Sequence, residues 1–209
     1  ALTFSSTSRI DSMYGMFGRG AVSFNQPLDF DTSSVTDMGS HRHGHPFGMF
    51  LGATSFNQTL AWDTSRVLQM KYMFEDAESF NQPLLWDTGT VSDMGYSFKG
   101  ASSFNQPLAW DVSRVTFVGS PVWDNTCSMF HMLWHTAADF EGLGLAGWDP
   151  ASFLTMNKMF RSAVGFNAEI GSWDVSAVTN MDATFYSATS FNAGISGWNV
   201  SQVSSMSSI

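Results

Sequence analysis

The sequence predicts an α/β repeat protein, a solenoid of about seven or eight coils in which each coil is a short strand plus a short helix or helical turn. Three motifs predict it by recurring in a fixed order: Phe-Asn, Trp-Asp and Met-x-x-Met-Phe. Phe-Asn occurs at residues 24, 56, 80, 104, 166 and 191, with a degenerate Phe-Glu copy at 140. Successive copies are separated by 32, 24, 24, 36, 26 and 25 residues, which gives a base period of about 25.

Stacking follows from the small number of apolar residues in one unit. A unit offers about eight apolar positions, too few to enclose a core, so neighbouring units must bury one another's Phe, Trp and Met side chains. We expect a single domain over residues 1–209. Within it we place a partial coil at 1–23, coils starting near residues 24, 56, 80, 104, 140, 166 and 191, and insertions at 39–46 and 117–128.

Each coil is expected to contain a strand, then a turn, then a helix. In three copies a proline excludes a helix from the Phe-Asn-Gln-Pro-Leu segment, at Pro27, Pro83 and Pro107, so this segment is predicted to be a short strand. The Asp-Thr-Ser or Asp-Val-Ser that follows supplies side-chain oxygens for a helix start or a tight turn. In residues 91–101, apolar side chains at offsets 0, 3, 5, 7 and 10 lie close to one face of a short helix.

Charge and composition exclude several classes of partner. Nine Lys and Arg against 18 Asp and Glu give a net charge of −9, which argues against nucleic-acid binding. No stretch reaches the roughly 18 apolar residues of a membrane-spanning helix. The single cysteine, Cys127, excludes an internal disulfide framework and a cysteine-based zinc cluster. We expect any targeting segment to lie outside this chain.

The repeat unit reads Phe-Asn-Gln-Pro-Leu-x-x-Trp-Asp-Thr-Ser-x-Val-Thr-x-Met-x-x-Met-Phe-x-x-Ala. It resembles the BspA-like leucine-rich-repeat surface proteins, the bacterial surface protein 26-residue repeat that also occurs in mycoplasma lipoproteins. The resemblance covers nearly the whole chain and implies a leucine-rich-repeat-like solenoid, displayed at a cell surface or secreted, with adhesion or binding roles. It supplies no catalytic residues.

Two polar columns, each a set of equivalent residues in successive units, are interpreted as structural. The asparagine column is expected to saturate backbone groups of the next coil; it contains Asn25, Asn57, Asn81, Asn105, Asn167 and Asn192. The aspartate column is expected to cap helix starts, with a calcium-binding column as the alternative. It contains Asp31, Asp63, Asp87, Asp111, Asp149 and Asp174.

The two insertions hold the candidate binding residues. His41, His43 and His45 alternate in the first insertion, where we predict a solvated loop, with weak binding of Zn²⁺, Ni²⁺ or Cu²⁺ as the alternative. In the second insertion we expect exposed contacts from Pro121, Trp123, Asp124 and Asn125, because tryptophan is a typical interface anchor. His131 and His135 have helical spacing but lack the glutamate of a metalloprotease helix.

No catalytic constellation is recognisable, so we expect no enzyme activity and no cofactor. The first hypothesis is a binding or adhesion module that presents an extended face to protein or glycan partners. The second is a structural scaffold or peripheral subunit of an assembly whose neighbouring chains cover its open ends. The weaker third hypothesis is a metal-binding module that uses the histidine-rich insertion.

Overall fold

The computed structural model describes residues 2–3, 7–42, 45–116, 132–133, 136 and 140–209. The strands are β1 (Leu2–Thr3), β2 (Leu28–Asp29), β3 (Asp37–Arg42), β4 (His45–Gly48) and β5 (Gln69–Met70), and Leu145–Gly147 forms a 3₁₀ turn. Strands β1 and β2 pair in parallel, whereas β3 pairs antiparallel with β4 and parallel with β5. Most of the described chain therefore consists of turns and irregular segments, and the two small sheets lie within its first 70 residues.

The predicted α/β solenoid, with one strand and one helix in each coil, is wrong. The described residues contain no α-helix, and their strands are confined to the five short segments above. The chain nevertheless stacks its repeats. We number them by residues, starting after each Trp-Asp or its variant: repeats 1 to 8 are 7–31, 32–63, 64–87, 88–111, 112–149, 150–174, 175–199 and the start of a unit at 200–209.

Backbone hydrogen bonds join equivalent positions of successive repeats. The Phe17 N–H donates to Met49 O at 2.8 Å, and the Phe50 N–H donates to Met73 O at 2.9 Å. The same bond recurs from Phe74 to Ser97, from Phe98 to Met132 and from Phe160 to Thr184. Each repeat thus lies parallel to the one before it and satisfies part of that repeat's backbone.

The segment predicted to be helical is a run of overlapping turns, which we call the turn run. In repeat 3 it covers residues 70–77. Alternate N–H groups, those of Met70, Tyr72, Phe74 and Asp76, donate to carbonyls of repeat 4, whereas those of Met73, Glu75 and Ala77 close turns within repeat 3. Tyr72 and Asp76 have φ values of 59° and 56°, as the third residue of a type II turn requires. A helix is excluded because half of its N–H groups are already used by the neighbouring repeat.

The predicted strand in Phe-Asn-Gln-Pro-Leu is likewise absent from the described repeats, except at Leu28–Asp29. Hydrogen bonds to an asparagine side chain replace the backbone hydrogen bonds of a strand ladder. The Asn57 N–H donates to Asn25 Oδ1 at 2.9 Å, and the Gln58 side-chain amide donates to the same oxygen. The proline that follows in three of the six Phe-Asn copies has no N–H for a continuous ladder, and the asparagine side chain makes the connection between repeats.

The core consists of three aromatic columns along the stack. Ring centroids of neighbouring repeats lie 5.5 to 6.2 Å apart in near-parallel planes. In repeats 1 to 4 the columns are Phe17, Phe50, Phe74 and Phe98; Phe24, Phe56, Phe80 and Phe104; and Phe30, Trp62, Trp86 and Trp110. From repeat 3 onwards the buried tryptophan Nε1–H donates to a carbonyl of the preceding repeat, as Trp86 does to Leu60 O. The polar tip of each of these tryptophans is therefore paired inside the apolar core.

Repeat 2 carries an insertion that folds into an ordered hairpin. Repeat 2 spans 32 residues (32–63) and repeat 3 spans 24 (64–87), which leaves eight extra residues. The bond from the Met49 N–H to Met38 O corresponds to the bond from the Met73 N–H to Met70 O. Gly39 is therefore equivalent to Lys71 and Gly48 to Tyr72, so the extra residues are 40–47. Of these, residues 40–42 belong to β3 and residues 45–47 belong to β4. The second predicted insertion, 117–128, lies outside the described residues.

Candidate ligand-binding site

The hairpin is anchored to repeat 3 at its base. The Met49 N–H donates to Met38 O at 3.0 Å and closes the base, and β3 continues into its parallel pairing with β5. A Cβ atom at Gly39 would overlap the Lys71 carbonyl oxygen, and one at Gly48 would overlap the Tyr72 carbonyl oxygen. Glycine is therefore required at both positions for the hairpin to approach repeat 3.

The outer part of the hairpin leans over repeat 1. The Phe47 ring packs edge-on against Tyr14, with centroids 5.7 Å apart, and a Cβ atom at Gly15 would lie 3.3 Å from the Phe47 ring. A cavity of about 230 Å³ remains between the hairpin and the turn run of repeat 1. We call it the hairpin pocket; its lining residues are Gly15, Gly18, Arg19, His45, Pro46, Phe47, Gly48 and Leu51.

The lining combines an apolar wall with hydrogen-bond donors. Pro46, Phe47 and Leu51 supply the apolar side chains, and Arg19 and His45 are the two polar side chains. Among the described residues Arg19 forms no ion pair, and no acceptor takes the Gly15 N–H. In repeat 3 the equivalent N–H, that of Tyr72, donates to Gly95 O at 3.0 Å. The lining therefore combines a cationic side chain and the Gly15 backbone with apolar side chains.

A cluster of charged and aromatic residues continues this face across repeats 3 and 4. Lys71 lies 3.5 Å from Asp93, with only 4% and 9% of the side chains exposed, and the Tyr72 and Tyr96 rings stack at 4.8 Å. Lys99 pairs with Glu75, and Lys99 also lies over the Tyr96 ring. Burial raises the pKa of Glu75, and the hydrogen bond from Lys99 opposes that rise.

Sequence reasoning missed this face, although a signal was present. All four tyrosines and all three lysines of the chain fall in the turn run of some repeat; they are Tyr14, Tyr72, Tyr96 and Tyr186, with Lys71, Lys99 and Lys158. Tyrosine is enriched at binding surfaces, whereas lysine is depleted there. The restriction of the four tyrosines to the turn run marks that segment as a candidate binding face.

The hairpin separates two of the three histidines proposed as metal ligands. His41 pairs with Pro46, and Arg42 pairs with His45, so His41 and His45 point to opposite faces of the hairpin. The His41 ring lies 6.1 Å from that of Tyr72, whereas His45 lines the hairpin pocket. His43 lies outside the described residues, and within the described part of the chain no three His, Cys, Asp or Glu side chains are grouped to hold a metal ion.

The candidate residues of the second insertion have no structural description. Pro121, Trp123, Asp124 and Asn125 lie outside the described residues, as do Cys127, His131 and His135. Their assignment as exposed contacts remains a prediction from the sequence.

The asparagine column connects repeats through its side chains. Besides the bond from Asn57 to Asn25, the N–H groups of Asn81, Asn105 and Asn192 donate to the Oδ1 atoms of Asn57, Asn81 and Asn167 at 2.7 to 2.9 Å. These oxygens accept bonds from the following repeat and are part of the architecture.

Each aspartate of its column closes a turn. Asp31, Asp63, Asp111 and Asp174 accept the N–H of a serine two residues later, and Asp87 and Asp149 accept those of Gly89 and Ala151. Among the described residues no helix follows any of them, so the helix-capping interpretation is wrong there, because the turn run is not helical. The serine hydroxyl and then its N–H hold the pKa of Asp31, Asp63, Asp111 and Asp174 below the ordinary value.

Stacked turn-rich repeats with a pocket beneath an inserted hairpin define a repeat protein with a candidate binding site. The chain belongs to the family described as "Mycoplasma protein of unknown function, DUF285", which matches residues 2–45, 47–126 and 121–209. The repeated matches confirm a repeat protein of that mycoplasma family. Neither the curated proteins nor the solved structures give a significant match. Within the described ranges, no helix has the length and apolarity needed to cross a membrane.

Proposed function

We propose that this chain is a non-enzymatic binding and adhesion module, displayed at a cell surface or secreted, which contacts a protein or glycan partner at the hairpin of repeat 2. The observation that carries the proposal is the hairpin pocket itself: the inserted residues 45–47 lie over repeat 1 and line a cavity of about 230 Å³. The resemblance of the repeat unit to BspA-like surface proteins supports surface display.

The hairpin is not needed for stacking, which supports a role in binding. Repeats 3 and 4 stack through the same backbone bonds without any insertion between the positions of Gly39 and Gly48. A segment that the fold can omit, but that is held by two glycine contacts and an aromatic pair, is maintained for its surface. Loops that emerge from a repeat array are the usual place for recognition in such proteins.

The chemistry of the lining supports binding over catalysis. Its polar side chains are Arg19 and His45, and the lining contains no carboxylate, hydroxyl or thiol to act as a nucleophile or as the partner of a general base. On repeat 4 the half-buried Tyr96 and Lys99 add aromatic and charged surface, whereas Lys71 and Tyr72 of repeat 3 are buried. Tyrosine beside apolar surface is typical of protein interfaces.

The test is saturable binding of the purified chain to cultured epithelial cells. Two variants accompany the wild type: deletion of residues 40–47, which joins Gly39 to Gly48 and restores the 24-residue unit, and Phe47→Ala, which keeps the hairpin but removes its contact with Tyr14. Arg66→Gln is the control, because Arg66 is an exposed cation outside the turn run. Thermal unfolding of each preparation establishes that the stack is intact.

We expect the wild type and the control to bind alike, and both hairpin variants to lose binding with a nearly unchanged melting temperature. Pretreating the cells with protease or with glycosidases identifies the partner as protein or glycan. Absence of saturable binding by the wild type, or equal binding by the deletion variant, would contradict the proposal. Comigration of the chain with a defined set of other proteins would favour the scaffold hypothesis instead.

A further inference from the structure

Resting on the proposed function, we propose that the hairpin pocket binds the free carboxyl terminus of a partner polypeptide that ends in an apolar residue. Every such terminus presents a carboxylate on a compact apolar residue. The volume of the pocket, its apolar lining and its charged side chain each support this ligand.

The volume limits the ligand to one residue or a group of similar size. Pockets that bury a drug-sized ligand usually measure about 300–1,000 Å³, and the hairpin pocket measures about 230 Å³. Gly15 and Gly18 form part of its lining, so backbone rather than side chains meets the ligand there. A Cβ atom at Gly18 would lie 3.3 Å from Gly48 O, so a side chain there would narrow the space between repeat 1 and the hairpin.

The wall selects an apolar body. Pro46, Phe47 and Leu51 face the cavity, whereas the polar side chains of the lining number two, Arg19 and His45. A sugar ring carries several hydroxyl groups, each of which needs a hydrogen-bond partner once it leaves water. Two polar side chains cannot satisfy them, so an apolar side chain is the better occupant.

The donors select a carboxylate. The Arg19 guanidinium has donors in a fork that matches a carboxylate. Arg19 forms no ion pair within 4 Å with a described residue, and at longer range its charge favours ionised Glu75 by lowering the Glu75 pKa. The Gly15 N–H also lacks an acceptor within the described chain, and backbone N–H groups beside a cation are a recurrent means of capturing a chain terminus. Because the chain has a net charge of −9, a cationic side chain at a pocket is not explained by a generally basic surface.

The experiment titrates the isotope-labelled full chain with N-acetylleucine and follows the backbone amide signals of Gly15, Gly18 and Gly48. Three further probes share parts of its chemistry. N-acetylleucine amide lacks the negative charge, 4-methylpentanoate keeps the carboxylate and the apolar body without the peptide group, and glucuronate carries a carboxylate on a hydroxylated ring. Arg19→Gln is compared with Arg66→Gln, which removes the same charge from an exposed position elsewhere on the stack.

We expect N-acetylleucine to shift the three glycine signals saturably. Loss of one charge-assisted hydrogen bond should weaken binding about tenfold, both for the amide probe and for Arg19→Gln, while Arg66→Gln binds as the wild type does. The comparison of acid and amide uses only the wild type, so it holds even if the Arg19 variant folds poorly.

Equal affinity for the acid and the amide would overturn the inference, as would tighter binding of 4-methylpentanoate or glucuronate, which would assign the pocket to a free acid or an acidic sugar. Absence of any binding by these probes also overturns it, while the proposed function stands if deletion of residues 40–47 still abolishes cell binding. The proposed function fails separately if that deletion leaves cell binding unchanged.

Discussion

Replacing Asp76 by glycine and by alanine distinguishes the turn run from the helix that the apolar spacing predicts. Asp76 is exposed and has a φ of 56°, and the equivalent residues of repeats 2 and 4 are Gly52 and Gly100, with φ values of 73° and 72°. The Ala77 N–H closes the turn on Phe74 O at 3.1 Å. Both variants remove the same carboxylate, so the electrostatic consequences cancel when the two are compared.

The difference in free energy of unfolding between the glycine and alanine variants should have opposite signs in a left-handed turn and in a helix. In the left-handed region alanine is penalised by about 1–2 kcal/mol, and glycine loses about 0.5–1 kcal/mol through its greater freedom in the unfolded chain. We therefore expect Asp76→Gly to exceed Asp76→Ala in free energy of unfolding by about 0.5–1 kcal/mol. Inside a helix alanine would instead be more stable than glycine by about 1 kcal/mol.

Urea unfolding followed by tryptophan fluorescence measures the difference, and the melting temperatures should differ by about 2 °C in the same direction. The control is the same pair of substitutions at Ser79, an exposed position of repeat 3 without a positive φ, where glycine should not be the more stable variant. A higher stability of Asp76→Ala than of Asp76→Gly would refute the left-handed turn.

Two further predictions concern the polar columns. Asn81→Ala leaves the Asn105 N–H without its acceptor and should reduce the free energy of unfolding by about 1–3 kcal/mol. The control is Asn192→Ala, because the Asn192 side chain accepts no bond from a described residue. This control should change the free energy of unfolding by less than about 0.5 kcal/mol in the same urea experiment. Ser65→Ala removes the larger cause of the lowered Asp63 pKa. A lowered carboxyl pKa stabilises the folded protein at pH values above the ordinary pKa of 3.8, and this stability is lost as the pH falls through the pKa of the folded state. In Ser65→Ala we therefore expect Asp63 to titrate at higher pH by NMR and the protein to lose less stability on acidification. An unchanged Asp63 pKa would contradict this.

The repeat period was readable from the sequence because each column uses one residue type. Phe56, Phe80 and Phe104 occupy the same position of the unit, and a side chain that must stack on its own copy leaves a visible period. The conformation within a unit was not readable. The apolar offsets of 0, 3, 5, 7 and 10 fit a run of turns as well as a helix, and what decides between them is the donation of alternate N–H groups to the next repeat. A single unit carries no information on that neighbour.

The length of the hairpin insertion could be predicted from the sequence, but its contacts could not, because they depend on tertiary packing. The extra eight residues of repeat 2 are visible as a longer spacing, and the histidines within them attract attention. That Phe47 would reach Tyr14, and that Arg19 of another repeat would line the same cavity as His45, depends on the antiparallel register of the hairpin. The same register places His41 and His45 on opposite faces, which the alternating sequence does not reveal.

The most direct test of the account is whether the hairpin rests on repeat 1 in solution, because the pocket exists only if it does. Nuclear Overhauser effects between the aromatic protons of Tyr14 and Phe47, whose ring centroids lie 5.7 Å apart, measure that contact. We expect a cross-peak in the wild type and its loss in Phe47→Ala and in the deletion of residues 40–47. A well-resolved spectrum of the folded wild type without this cross-peak would contradict the hairpin pocket and both proposals that depend on it.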